Sequence, residues 1–149
     1  MPAHRIGFRV YYEDTDAGGV MYHAQYLAFA ERARSEALRS AGATAASLAA
    51  RHGIVFVVRR VEADYLRPLR LDDDVTVSTA LLKRGGSSAR LRQTLSAGGV
   101  VAAALEVVVV AVRLADMRPV RVPEPWAGAL DGLTPDDADD AEGAGTSGF

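Results

Sequence analysis

The first residues of the chain alternate. Ile6, Phe8, Val10 and Tyr12 fall on one side of an extended backbone, and Gly7, Arg9 and Tyr11 on the other, the period of two that marks a half-buried strand. Gly18 and Gly19 end the pattern. Beyond them "HAQYLAFAERARSEALRSAG", residues 23–42, sets Tyr26, Ala30, Ala33, Ala37 and Ala41 on one side at helical spacing, flanked by Leu27, Phe29 and Leu38. That spacing predicts a long amphipathic helix stopped by Gly42. Its buried stripe is mostly alanine, so its axis can approach a packing surface closely, as a helix wrapped by a sheet must. Arg34 projects into the apolar arc and needs a partner, for which Glu31, one turn earlier, is the candidate. A shorter helix is expected over residues 45–53, closed by Gly53.

Strand patterns follow over residues 54–66, 74–83, 88–97 and 100–114, separated by "RPLRLDD", "RGGS" and "GG", turn chemistry of hairpin length. The order is therefore strand, helix, then four strands in an antiparallel meander, an α+β chain. Residues 100–112 are apolar on both faces, which suits a central strand or an edge strand paired across a subunit boundary. After Pro119 the chain is punctuated by proline, and Trp126 is expected to pin the end of the fold. From Thr134 onward nothing apolar recurs until the last residue. This divides the sequence into a domain over residues 1–133 and an acidic tail over 134–149, expected to be disordered.

Composition narrows the function. A chain of 149 residues is most simply one domain with a real core. It has no cysteine, which removes thiol nucleophiles, thiolate metal sites and disulfides, and fits a cytoplasmic location. The amino terminus lacks the apolar stretch of a signal peptide. The run over residues 100–112 carries Glu106 and is shorter than the roughly 20 residues of a membrane helix. A net charge of −2 argues against nucleic acid as the main partner. The tail holds Asp136, Asp137, Asp139, Asp140 and Glu142 and no base, so residues 1–133 alone are slightly positive and would attract an anionic ligand modestly.

The densest chemistry is "YYEDTDAGGVMYHAQY", residues 11–26. One helix cap needs one acceptor, yet Glu13, Asp14, Asp16 and His23 crowd a glycine turn that already solves the backbone geometry. The glycines let backbone approach a ligand, and the helix start near Tyr22 and His23 presents unpaired amides and a positive dipole end. Thioester hydrolysis requires a carboxylate as base or nucleophile, and amides facing it to hold the developing oxyanion. Two other readings of the aspartates are weaker. The D-x-D of aspartyl-phosphate phosphatases wants a hydroxyl residue soon after, and a calcium loop wants a third ligand where Gly18 sits.

The same stretch carries a resemblance. Together with "FVVRRVEADYLRPLRLDD", "LKRGGSSARLRQTL" and "VRLADMRPVRVP", it resembles the 4-hydroxybenzoyl-CoA thioesterase-like group of hotdog-fold acyl-CoA thioesterases, in the branch associated with the Tol-Pal system. The resemblance covers roughly residues 6–124. It implies a five-stranded antiparallel sheet wrapped around one long helix, a homodimer or homotetramer with sites at the subunit boundary, and hydrolysis of acyl-CoA, or of acyl-carrier-protein thioesters, with no metal or redox cofactor.

Matched residue by residue, it implies that Asp16 is general base or nucleophile. It implies that the backbone amide at His23 is the oxyanion donor, with the His23 side chain assisting. Gly19, Tyr22, Tyr26 and Glu31 would line or brace the pocket, with Glu31 a back-up base. Because CoA is polyanionic, its phosphates need cations, for which Lys83, Arg84 and Arg67, with Ser87, are the candidates. Met21 stands where the group usually has a β-branched residue, a departure that changes the side chain and leaves the backbone role intact. A non-catalytic module binding acyl thioesters or an acyl-carrier protein on the same fold is the alternative.

Overall fold

A computed structural model describes residues 3–135. The expected disorder of the tail falls on residues 134–149, of which 136–149 lie outside the described residues.

Five strands form one antiparallel sheet in the order β1-β3-β4-β5-β2. They are β1 (His4–Arg9), β2 (Ile54–Tyr65), β3 (Asp74–Arg84), β4 (Ser88–Ala97) and β5 (Val100–Arg113). The run that is apolar on both faces is β5, placed between β4 and β2, so the choice left open between central and edge strand resolves to central. The edge strands are β1 and β2. The first strand is shorter than its alternation suggested, because Tyr12 belongs to a single turn of 3₁₀ helix, Tyr12–Asp14.

The long helix, α1 (His23–Ser40), is followed by α2 (Ala45–His52). Gly42, at φ +76°, lets the chain leave α1 in a left-handed conformation that most side chains resist. The concave face of the sheet closes on α1 through Phe29, Ala30, Ala33 and Ala37, all buried. Alanine at three of these positions brings the helix backbone close enough for Gln93 of β4 to donate to the Ala30 carbonyl at 2.8 Å. Ala41 departs from the expected stripe and is exposed, since it lies past the helix end.

A third helix, α3 (Trp126–Asp131), was not anticipated. Six residues make it too short to stand alone, and tertiary contacts hold it. Trp126 is fully buried, donates its indole N–H to the Thr44 carbonyl at 3.0 Å, and packs edge-on against His52, so the expected pin is present. Asp131 receives Nε and Nη2 of Arg84 at 2.6 and 3.2 Å. The Leu133 carbonyl accepts from the Leu81 amide of β3. Among the described residues, no helix is long and apolar enough to cross a membrane.

Candidate active site

The junction between β1 and α1 is a small knot of backbone. The Asp16 amide donates to the Val20 carbonyl at 2.9 Å and the Gly19 amide to the Asp16 carbonyl at 3.1 Å, closing a tight turn in which Gly19 takes φ +80°. Thr15 bridges Met21, and Val20 bridges Arg70. Met21 is buried in the core, so the turn is moored at its foot and free at its tip.

The two aspartates of the motif separate. Asp14 is buried. Its Oδ2 accepts from the Tyr11 amide at 2.9 Å and its Oδ1 from Nε2 of Gln25 at 2.7 Å, while its carbonyl accepts from the Tyr22 amide. It is a strut tying the turn to the first turn of α1. Asp16 is exposed at the tip. Its Oδ1 accepts from the Gly18 amide at 2.8 Å, and a Cβ on Gly18 would stand 3.3 Å from that oxygen, so glycine gives the carboxylate room to sit over the backbone. In the single chain this carboxylate faces outward from the turn tip.

Helix α1 begins without a cap. Tyr22, at the N-cap position, makes no side-chain capping bond, and the first turn holds no acidic residue. The first amides of a helix have no intrahelical acceptor, so His23 opens α1 at a positive, uncapped end. Aromatic rings surround it. Tyr22 lies 4.5 Å from the His23 ring, and Tyr65 is edge-on to both His23 (6.4 Å) and Tyr26 (5.1 Å). The Tyr65 hydroxyl reaches toward the His23 carbonyl at 3.5 Å. Tyr26 is buried; its hydroxyl accepts from the Leu69 amide at 3.0 Å and points to the Arg67 carbonyl at 3.4 Å. Burial raises its pKa above the usual phenol value, against the Leu69 bond, which lowers it; the nearby Tyr65 and Asp73 add to the rise.

Asp16, Gly19, Tyr22, His23, Tyr26 and Arg67 thus gather at one junction. Glu31 does not; it lines a cavity farther along α1. Lys83, Arg84 and Ser87 lie at the far end of β3, whose first residue pairs with Arg9 beside the junction. Eleven residues of strand at about 3.3 Å each span roughly 30 Å, so one chain does not bring that turn to Asp16. Lys83 is exposed there, whereas Arg84 is engaged by Asp131, which raises its pKa. Arg34 takes Gln93 as its hydrogen-bond partner at 3.0 Å, with Glu31 contributing favourable charge only. Sequence reasoning missed Tyr65, Gln25 and the burial of Asp14. For Tyr65 a signal existed, since its alternation with Ala63 puts it on the α1 side of the sheet, against the His23 and Tyr26 rings; Gln25 and Asp14 gave none. Among the described residues, no cluster of His, Cys, Asp and Glu could hold a metal ion.

Comparison with known proteins agrees with this architecture. The sequence profile of the thioesterase-like superfamily matches residues 10–130. Acyl-CoA thioesterase YbgC of Haemophilus influenzae is 41% identical over 116 residues, 78% of this chain and 85% of the relative. Acyl-CoA thioester hydrolase YbgC of Escherichia coli is 43% identical over 117 residues, 78% and 87%. A probable thioesterase from Bartonella henselae superposes with a TM-score of 0.77 at 34% identity, over 81% of this chain and 99% of that one. With its sheet closed around α1 in the hotdog manner, its uncapped helix start and these relatives, the chain belongs to the thioesterase-like superfamily and is a thioester hydrolase.

Proposed function

We propose that this protein hydrolyses acyl-CoA to free acid and CoA, with Asp16 as general base or nucleophile and the His23 amide as oxyanion donor. The observation that carries the reading is the pairing at one junction of an outward-facing carboxylate, mounted on a glycine amide, with a helix start that no side chain caps. The relatives named for acyl-CoA thioester hydrolysis support it, and the D-T-D-A-G-G-V-M-Y-H motif supports membership of the Tol-Pal-associated branch. As the thioester carbonyl is attacked, charge moves onto its oxygen, where amides at the positive end of α1 stabilise it without reorganising. Asp16 either removes the proton from the attacking water, the C–S bond then breaking to release CoA thiolate, or attacks the carbonyl carbon itself, expelling CoA thiolate and giving an anhydride that water opens to the free acid and the Asp16 carboxylate. The exposed rings of Tyr22 and Tyr65 offer apolar faces to the acyl group.

A second subunit completes this reading. The edge strand β2 leaves Val58 and Val61 exposed at 48% and 38%, although the bulge between Val58 and Arg60 turns both toward the helix side of the sheet. Twelve residues of unpaired edge bearing such side chains suit pairing with a second copy, and would place a partner beside the junction. Arg67 is a cation at the junction available to the phosphates of CoA, while Lys83, Arg84 and Ser87 reach a site only from another subunit. The absence of cysteine and the CoA substrate suit the cytoplasm.

The test is release of CoA from short-chain, aromatic and long-chain acyl-CoAs, with acyl-carrier-protein thioesters in parallel. Asp16→Ala is expected to lower kcat by roughly 10²–10⁴-fold; equal rates for the variant and the wild type on every substrate would remove Asp16 from the chemistry.

A further inference from the structure

An apolar cavity of about 310 Å³ lies between the second half of α1, α2 and the first residues of β2, walled by Leu38, Leu48, Phe56, Leu91, Val109 and Leu130. Asp16 and His23 do not line it, but Glu31 does. Glu31 stands eight residues beyond His23 on α1, about 12 Å along the axis at 1.5 Å per residue. The cavity is therefore within reach of an acyl chain whose thioester sits at the helix start.

One cation interrupts its wall. Arg34 lines the cavity, and withdrawal from water pushes its pKa below the ordinary arginine value, Glu31 opposing the shift. Placing a guanidinium in an apolar space is costly unless its donors are used. Among the described residues its side chain makes one hydrogen bond, from Nη1 to Oε1 of Gln93 at 3.0 Å. Gln93 is completely buried, and its own Nε2 is spent on the Ala30 carbonyl and Thr79 Oγ1 at 2.8 and 2.9 Å. Gln93 is thus a fixed post, and it sets the plane of the guanidinium while leaving the remaining N–H groups for whatever enters.

Those donors and the Glu31 carboxylate both line the cavity, Arg34 half-buried and Glu31 open to solvent. A hydroxyl accepts from the first and donates to the second; a methyl does neither, and a second carboxylate would meet the charge of Glu31. We propose that this cavity is the acyl-chain subsite and that Arg34, oriented by Gln93, selects acyl groups carrying a hydroxyl at the end remote from the thioester over all-carbon chains of the same size. The inference rests on the thioesterase reading above and adds the substrate class to it.

Two probes separate a hydroxyl from a methyl at constant length, 10-hydroxydecanoyl-CoA and undecanoyl-CoA. The wild type is expected to favour the first in kcat/KM by about tenfold or more, the worth of a hydrogen bond to a charged group. The ratio is expected to fall toward one in Arg34→Met and to be only partly kept in Arg34→Lys, whose ammonium lacks the planar fork. Calorimetric binding of free 10-hydroxydecanoate and undecanoate to the wild type gives the same comparison without turnover and without dependence on a variant's folding. Equal affinities for the two acids, or failure of both to bind, would overturn the assignment. If both thioesters are cleaved with no preference, this inference falls and the thioesterase reading stands. If neither is cleaved while the hydroxy acid still binds tighter, the subsite stands and the catalytic reading falls.

Discussion

Asp14 and Asp16 are two positions apart and have opposite surroundings, one buried among donors and the other standing on a glycine turn. Removing the first leaves the Tyr11 amide and the Gln25 side chain without their acceptor in a half-buried place. Asp14→Ala is expected to cost about 2 kcal/mol in urea unfolding and to lower kcat, because the mount of Asp16 loosens. Asp14→Asn is expected to retain most of both, since the Gln25 amide can turn over and accept. Tyr26 gives a pH signature. Its folded pKa is raised above the unfolded value near 10, so the stability it contributes is complete below pH 10 and is lost as pH rises through the folded pKa. Tyr26→Phe is expected to flatten that alkaline limb in denaturation measured from pH 8 to 12, and to cost about 1 kcal/mol at neutral pH for the stranded Leu69 amide. Residue identities near the junction were legible in the sequence because they are adjacent in it. The assignment of burial to one aspartate and exposure to the other was not, because it depends on Gln25 eleven residues away and on a loop moored at Leu69 and Arg70.

At the scale of elements, α1 depends on being thin. Ala30 and Ala33 have no exposed surface, and the Gln93 bond to the Ala30 carbonyl requires that closeness. Ala33→Leu is expected to push the helix off the sheet at a cost of about 1–3 kcal/mol or more, read as a fall in the thermal midpoint. The periodicities of two and 3.6 marked β1 and α1 because each turns one face toward the core. They could not mark α3. Its six residues follow a proline-rich run and are helical because Trp126 has a seat on α2 and Asp131 meets Arg84. Trp126→Ala is expected to cost about 3–5 kcal/mol, measurable as a lowered urea midpoint.

For the molecule as a whole, the open question of the sequence was which strand lies at the edge. The run over residues 100–112 looked equally suited to a centre or a subunit boundary, and the fold gives it the centre while leaving β2 outermost. Pairing order is a property of long-range register, which alternation within one strand cannot encode. If β2 is the seam of the proposed dimer, Val61→Lys puts a charge on it and is expected to yield a monomer in sedimentation velocity, with activity falling alongside assembly.

The return of the chain's later stretch also has a bearing on biosynthesis. The seat for Trp126 is framed by Thr44 and His52, and the Leu81 amide waits for Leu133. Until a ribosome has delivered those later residues, a growing polypeptide carries an open greasy notch on its second helix and an unclosed rim on its third strand, and holdase chaperones would find their grip there.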